Sequence, residues 1–208
     1  FYVVLQNQPQ PEDNIPLEFP LFIMPTSRGG GLGIDDNSVA TSLGQLRSKV
    51  NSIAADLQSD SLVEEYLPGR EFSVAILKDE HSAEFSAMPI ELIARPNKNG
   101  IRLLSEQVKS SNTERVLEVT DKIIKAKVTA LAIDVFHALG ARDYGRIDIR
   151  MDMAGTPKFL EANLMPNLIS WYGSFPKACV LNNKLDFESM ILSIVRLGLA
   201  RNVDMWDD

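Results

Sequence analysis

Two short stretches decide how this chain reads: Gly145-Arg146-Ile147-Asp148-Ile149-Arg150 and, further on, Phe159-Leu160-Glu161-Ala162-Asn163. Polar and β-branched residues alternate in the first, which predicts a strand over 144–151. The second predicts a strand over 158–162, joined to the first by a turn at 152–156 to make an antiparallel pair. Residues two apart in a strand face the same way, so Arg146 and Asp148 share a side, as do Glu161 and Asn163. If the strands pair, all four converge on one face. Two carboxylates and an amide oxygen are hard ligands suited to Mg²⁺, which makes Asp148, Glu161 and Asn163 candidate metal ligands. Arg146 beside them could stabilise charge on a transferring phosphoryl group. An ordinary charged sheet face with an Arg–Asp pair accounts for the same residues without a metal. The apolar neighbours of Glu161 favour the metal, because charge in such surroundings needs a partner.

Upstream of the pair, the pattern 116–139 places Val116, Val119, Ile123, Ile124, Val128, Leu131, Val135 and Leu139 at helical spacing, and Gly140 ends the run as a left-handed cap. Before it, 94–115 is polar and reads as a mobile loop with one short strand at 101–104. That loop carries Lys109. Strands are expected at 71–77 and 85–93 with a turn at 78–81, and another strand at 62–66 leads into the turn Leu67-Pro68-Gly69-Arg70. In that region, backbone groups around Glu65–Leu67 could pair with a purine edge and Glu71 could accept from ribose hydroxyls. A solvated, charged turn is the bland reading.

Near the start, 2–5 and 19–25 read as strands, separated by a polar, proline-rich loop over 7–18. The run Gly29-Gly30-Gly31-Leu32-Gly33 then lets successive amides turn toward one point, as in a phosphate-binding nest, or simply forms a flexible hairpin tip. A helix follows from Asn37 or Ser38 to about residue 57. The last helix is expected over 186–199. No internal repeat is present. Strands dominate the middle with helices between strand groups, which predicts an α+β architecture of mostly antiparallel sheet. A boundary near Pro68-Gly69 splits a small lobe with the glycine loop (1–68) from a larger lobe with the metal site (69–208).

Composition sets the outer limits. The 208 residues are 45% apolar and 24% charged, enough to bury a core. The net charge of −7 argues against nucleic acid as a partner. A spanning helix needs about 20 consecutive apolar residues, and no stretch approaches that. The single cysteine, Cys179, excludes an internal disulfide and fits a reducing, cytoplasmic setting. The first residue is Phe1, which suggests a piece of a longer protein. His81 and His137 read as structural.

Taken in order, the proline-flanked strand, glycine loop, EEYLPGRE, loop lysine, GRIDIR and LEANLMPN resemble the ATP-grasp superfamily, and within it the D-alanine–D-alanine ligase group, over roughly residues 15–200. The resemblance implies two α+β lobes that clamp ATP. It places Glu64, Tyr66 and Leu67 at the adenine, Glu71 at the ribose, and Leu160 also among the nucleotide-contacting residues. Gly29, Gly30, Gly31 and Gly33 lie over the phosphates, and Lys109 contacts them. Asp148, Glu161 and Asn163 match ligands of Mg²⁺, for which Mn²⁺ can substitute, and Arg146 matches the arginine at the reacting phosphate. The implied activity joins a carboxylate to an amine through an acyl phosphate, with small amino-acid or peptide substrates and a homodimeric assembly. Three features depart from the pattern. Met24 stands where the family has a phosphate-contacting lysine, Pro166-Asn167 stands for Pro-Gly, and the domain that precedes ATP-grasp in these ligases is absent, so turnover by this part alone is not expected. Met24 also supports an alternative, a non-catalytic nucleotide-binding module.

Overall fold

The computed structural model describes residues 1–8, 11, 15–82 and 84–203. They form two compact units, one built from Phe1–Pro68 with Ala94–Glu114, the other from Gly69–Ile93 with the residues from Arg115 onward. Residues 94–114 therefore group with the first unit, not with the residues that follow Gly69. Each unit is a mixed α+β body on an antiparallel sheet, the class expected from the sequence. Part of the loop expected over 7–18 lies outside the described residues. Among the described residues, no helix is long and apolar enough to cross a membrane.

In the first unit, β1 (Tyr2–Val4), β2 (Leu21–Pro25), β3 (Val39–Ala40) and β4 (Ser61–Glu65) form a sheet in the order β1-β4-β2-β3. Helix α1 (Leu43–Leu57) covers one face, where Leu46, Val50 and Ile53 pack on Leu21, Ile23 and Val63. It starts later than residues 37–38. Val39 and Ala40 pair with Phe22 and Leu21 as a strand, and Ser42 is the N-cap, its hydroxyl accepting from the Gln45 amide. The segment 94–114 is not featureless either. It holds α2 (Glu106–Ser111), capped by Ser105, while the strand expected at 101–104 reduces to one bridge between Pro96 and Arg102.

In the second unit, β5 (Glu71–Lys78), β6 (Phe85–Ile93), β7 (Arg115–Glu118), β8 (Tyr144–Met151) and β9 (Pro157–Asn163) form a sheet in the order β7-β6-β5-β8-β9. The helix expected over 116–139 divides. Residues 115–118 pair with β6, and α3 (Lys122–Ala138) begins only after Asp121, whose carboxylate accepts from the Ile123 and Ile124 amides. That cap, not the apolar spacing, sets the helix start. Gly140 does take the expected left-handed conformation, at φ 61°.

The two faces of this sheet are covered differently, and that positions the site. Phe72, Val74, Ile76, Ile147 and Ile149 point to one face and pack under Val128, Ala132 and Phe136 of α3. The other face carries Ala75, Leu77, Met88 and Ile90, covered by Phe175, Ala178 and Cys179 of α4 (Ser174–Asn183) and Met190 and Leu197 of α5 (Phe187–Val203). Helix α4 packs chiefly on β5, β6 and β7. The sequence reading missed it, because Gly173 caps it without a side chain and its apolar residues keep no strong helical period. On β8 and β9 this face carries polar residues instead.

Two outcomes test this packing. Phe136 is fully buried, so Phe136→Ala costs the second unit about 3–5 kcal/mol in urea unfolding, and a loss below about 1 kcal/mol would contradict its place in the core. Burial pushes the Cys179 thiol up to about 12, so it reacts with a disulfide reagent at pH 8 only after unfolding; prompt reaction of the folded chain would contradict this.

Candidate active site

Cross-strand register assembles the centre of the site. On the polar face, β5 and β8 place Glu71 opposite Arg150, Ser73 opposite Asp148 and Ala75 opposite Arg146. On the other side of β8, Asp148 faces Glu161 and Arg146 faces Asn163. The pairing then slips. Asp148 opposes Glu161 but Ile149 opposes Phe159, so Leu160 is the extra residue of a β-bulge. The bulge moves Phe159 to the side of Ile149 while Glu161 stays beside Asp148. Simple alternation does not foresee it, although the adjacent apolar pair Phe159-Leu160 breaks the period just there.

Asp148 is the hub. Its Oδ1 accepts from Ser73 Oγ at 2.7 Å and Arg146 Nε at 2.9 Å. Its Oδ2 accepts from Arg146 Nη2 at 2.8 Å and Asn163 Nδ2 at 3.3 Å. Arg146 thus grips the carboxylate with both prongs of its fork. Burial works against the Arg146 charge, but Asp148, then Glu161 and Tyr172, outweigh it and hold the guanidinium above its usual pKa. Asn163 Nδ2 also donates to Glu161 Oε1 at 3.2 Å, and Arg146 Nη2 lies 3.8 Å from the same oxygen. Asp148, Glu161 and Asn163 therefore lie together, with Arg146 among them. Turning the Asn163 amide over would present its oxygen in place of the nitrogen, completing an all-oxygen set fit for Mg²⁺. Glu161 is the accessible member, its side chain 57% exposed against 13% for Asp148.

Two residues of this face escaped the sequence reading. Ser73 stands two positions after Glu71, and Arg150 two after Asp148, so the period of two that selected Asp148 reaches both. Arg150 Nη1 donates to Glu71 Oε2 at 3.0 Å, which fixes the carboxylate expected at the ribose. At the edge, Asn167 does not take a glycine-like positive φ. It caps a turn instead, its side-chain oxygen accepting from the Ile169 amide at 2.8 Å.

The remaining candidates belong to the first unit. The glycine run is packed, not a free tip. Gly31, at φ 85°, approaches α2 so closely that a Cβ would lie 2.9 Å from the Glu106 nitrogen. Gly33, at φ 80°, would bring a Cβ within 2.6 Å of Leu57. Gly30 also has positive φ. Two turns inside the run use the Leu32 and Ile34 amides, which donate to the Gly29 and Gly31 carbonyls. Lys49, 3% exposed, pairs with Asp35 at 2.9 Å and ties the far end of the loop to α1. Lys109 lies in the last turn of α2, the helix against which Gly31 packs. Arg28 donates to the Leu57 carbonyl at 2.9 Å.

Met24 pairs with Leu62, and Phe22 with Glu64, on the sheet face opposite α1. Burial raises the Glu64 carboxyl, partly offset by the amino terminus. The Tyr66 amide donates to the Pro20 carbonyl at 3.1 Å, so that donor is already engaged and cannot serve a purine. Leu67 follows it in the crossing to the second unit.

Two antiparallel sheets with helices, a glycine loop and a carboxylate–arginine cluster define an ATP-grasp fold. The D-ala D-ala ligase C-terminus family matches residues 5–196, and the chain belongs to it. It is 28% identical over 200 residues to the D-alanine–D-alanine ligase of Hydrogenovibrio crunogenus, covering 96% of this chain and 59% of the relative. The chain thus spans little more than half the length of that relative. The D-alanine–D-alanine ligase of Bacillus anthracis in complex with ATP superposes with a TM-score of 0.63 at 19% identity, covering 88% of this chain and 54% of the other. VanG D-Ala:D-Ser ligase from Enterococcus faecalis gives a TM-score of 0.66 at 20% identity, covering 86% and 50%.

The close approach of Gly31 to α2 has a readout that needs no ligand. Gly31→Ala speeds amide hydrogen exchange over 105–109 at least severalfold, while α3 keeps its protection; unchanged exchange in α2 would refute the contact.

Proposed function

We propose that this chain is the nucleotide- and metal-binding part of an ATP-dependent ligase that joins a carboxylate to an amine. The observation that carries the reading is the convergence of Arg146, Asp148, Glu161 and Asn163 on one sheet face beyond the footprint of α4. Membership of the D-alanine–D-alanine ligase family supports it.

In this reading the carboxylate substrate attacks the γ-phosphorus of ATP. The P–O bond to ADP breaks, and an acyl phosphate forms. The amine nitrogen then attacks the acyl carbon, phosphate leaves, and the nitrogen loses a proton to give the amide. Asp148, Glu161 and Asn163 hold Mg²⁺, or Mn²⁺ in its place. The bound ion supplies charge neutralisation to phosphate oxygens. Arg146, anchored on Asp148, offers its charge to the phosphoryl group in flight. Glu71 accepts from the ribose. The amides of Gly29, Gly30, Gly31 and Gly33 and the Lys109 ammonium meet the phosphates, and Glu64, Tyr66, Leu67 and Leu160 border the base. Tyr66 does so with its carbonyl or ring, since its amide is engaged. The protein acts by positioning and charge, not by covalent participation. Small amino acids or peptides are the substrates.

A second reading rests on Met24. A thioether facing phosphate cannot replace an ammonium, and a chain that binds nucleotide without turnover is the result.

Calorimetry with ATP and Mg²⁺ tests the site. Binding occurs, and Glu161→Gln weakens its metal-dependent part about tenfold or more, the worth of one charged ligand contact; equal binding with and without Mg²⁺ would reject the metal set. Met24→Lys tightens ATP binding if the phosphates pass that residue, and no change places them elsewhere. ADP release that appears only with a supplied amino acid or dipeptide supports ligation. Binding of ATP–Mg²⁺ with no turnover on any such substrate favours the module.

A further inference from the structure

The pair formed by Arg150 and Glu71 has a geometry that an incidental surface bridge lacks. The two residues are direct cross-strand partners on β8 and β5. Their side chains are 10% and 16% exposed, so both charges are largely withdrawn from water. Such a pair gains little stability over an apolar replacement, and losing one member leaves the other charge buried and uncompensated. A carboxylate at this depth stays ionised and in one rotamer only while its cation holds it. The row continues with Ser73 on Asp148 and Arg146 on Asp148, so each carboxylate in the strand pair β5–β8 is held by a donor from the neighbouring strand or from its own. Arg146 serves the phosphoryl end of that row, and Arg150 stands two positions along it toward Glu71.

We propose that Arg150 is a positioning residue for nucleotide recognition: by anchoring Oε2 of Glu71 it keeps that carboxylate ionised and aimed at the ribose hydroxyls, and so sets the preference of the site for ribonucleotides over deoxyribonucleotides. The inference rests on the nucleotide-binding reading above. An ionised, fixed carboxylate accepts from two adjacent hydroxyls far better than a protonated or rotating one, because charged hydrogen bonds are the strong ones. Arginine suits the task better than lysine. Its planar fork directs its hydrogen bonds and loses less freedom in making them. A purely architectural pair would affect every nucleotide alike.

The test compares ATP with 2′,3′-dideoxy-ATP by calorimetry on the chain in excess Mg²⁺, for the native sequence and for Arg150→Met and Arg150→Lys, with folding followed by circular dichroism. The native chain binds ATP about tenfold or more tightly than the dideoxy nucleotide, the scale of a lost charged hydrogen bond. Arg150→Met brings that ratio close to one and leaves dideoxy-ATP binding within about twofold. Arg150→Lys keeps the charge without the fork and retains a ratio reduced by about threefold or more. An unchanged ratio in Arg150→Lys overturns the proposal even if Arg150→Met fails to fold. Equal weakening of both nucleotides in Arg150→Met also overturns it, since Arg150 then only supports the sheet. A native chain that binds both nucleotides equally overturns this inference alone, whereas a native chain that binds neither overturns the nucleotide-binding reading beneath it.

Discussion

The Asp148 carboxylate, held by Arg146, Ser73 and Asn163, is the interaction on which the rest of the site depends. A largely buried carboxylate has to be paired and hydrogen-bonded to remain charged. Here the partners come from three strands: Ser73 from β5, Arg146 from β8 itself, and Asn163 from β9. The charge is therefore stabilised only where those strands meet in this register. The β-bulge at Leu160 belongs to the same arrangement, since it lets Glu161 stand beside Asp148 while Phe159 joins the side of Ile149. The row sits where α4 does not reach, so ligands can approach a face whose other end is a packed core.

The first unit contributes a loop of a different kind. Glycines there serve close approach as well as backbone freedom. Gly31 packs on α2 and Gly33 on Leu57 and Pro25, while Lys49 and Arg28 tie the two ends of the loop to α1. A loop held at this many points is preorganised, which lowers the entropy lost when its amides meet a ligand. Lys109 rides on the same short helix that Gly31 touches, so the two phosphate candidates of this unit share one local support.

Much of this was legible in the sequence because it rests on the strand period. Arg146 and Asp148, Glu161 and Asn163 each stand two apart, and the antiparallel pairing that unites them follows from one short turn. The fold class was legible for the same reason. What escaped depended on longer-range or capping effects. Val39 matched a helical spacing but pairs with β2. Val116 matched another, yet Asp121 caps α3 and leaves Val116 in a strand. Helix α4 has no strong period of its own and forms because Phe175, Ala178 and Cys179 find a sheet to cover. Arg150 was within reach of the same two-residue step as Asp148, but only the register of β5 against β8 identifies its partner.

Paramagnetic relaxation by Mn²⁺ with ATP tests the central claim most directly. The account predicts that signals of residues 146–148 and 161–163, and the Asn163 side-chain amide above all, broaden first, while those of β1 and the middle of α5 stay sharp. Broadening that spares β8 and β9, or that centres on the acidic turn at residues 79–80, would contradict it.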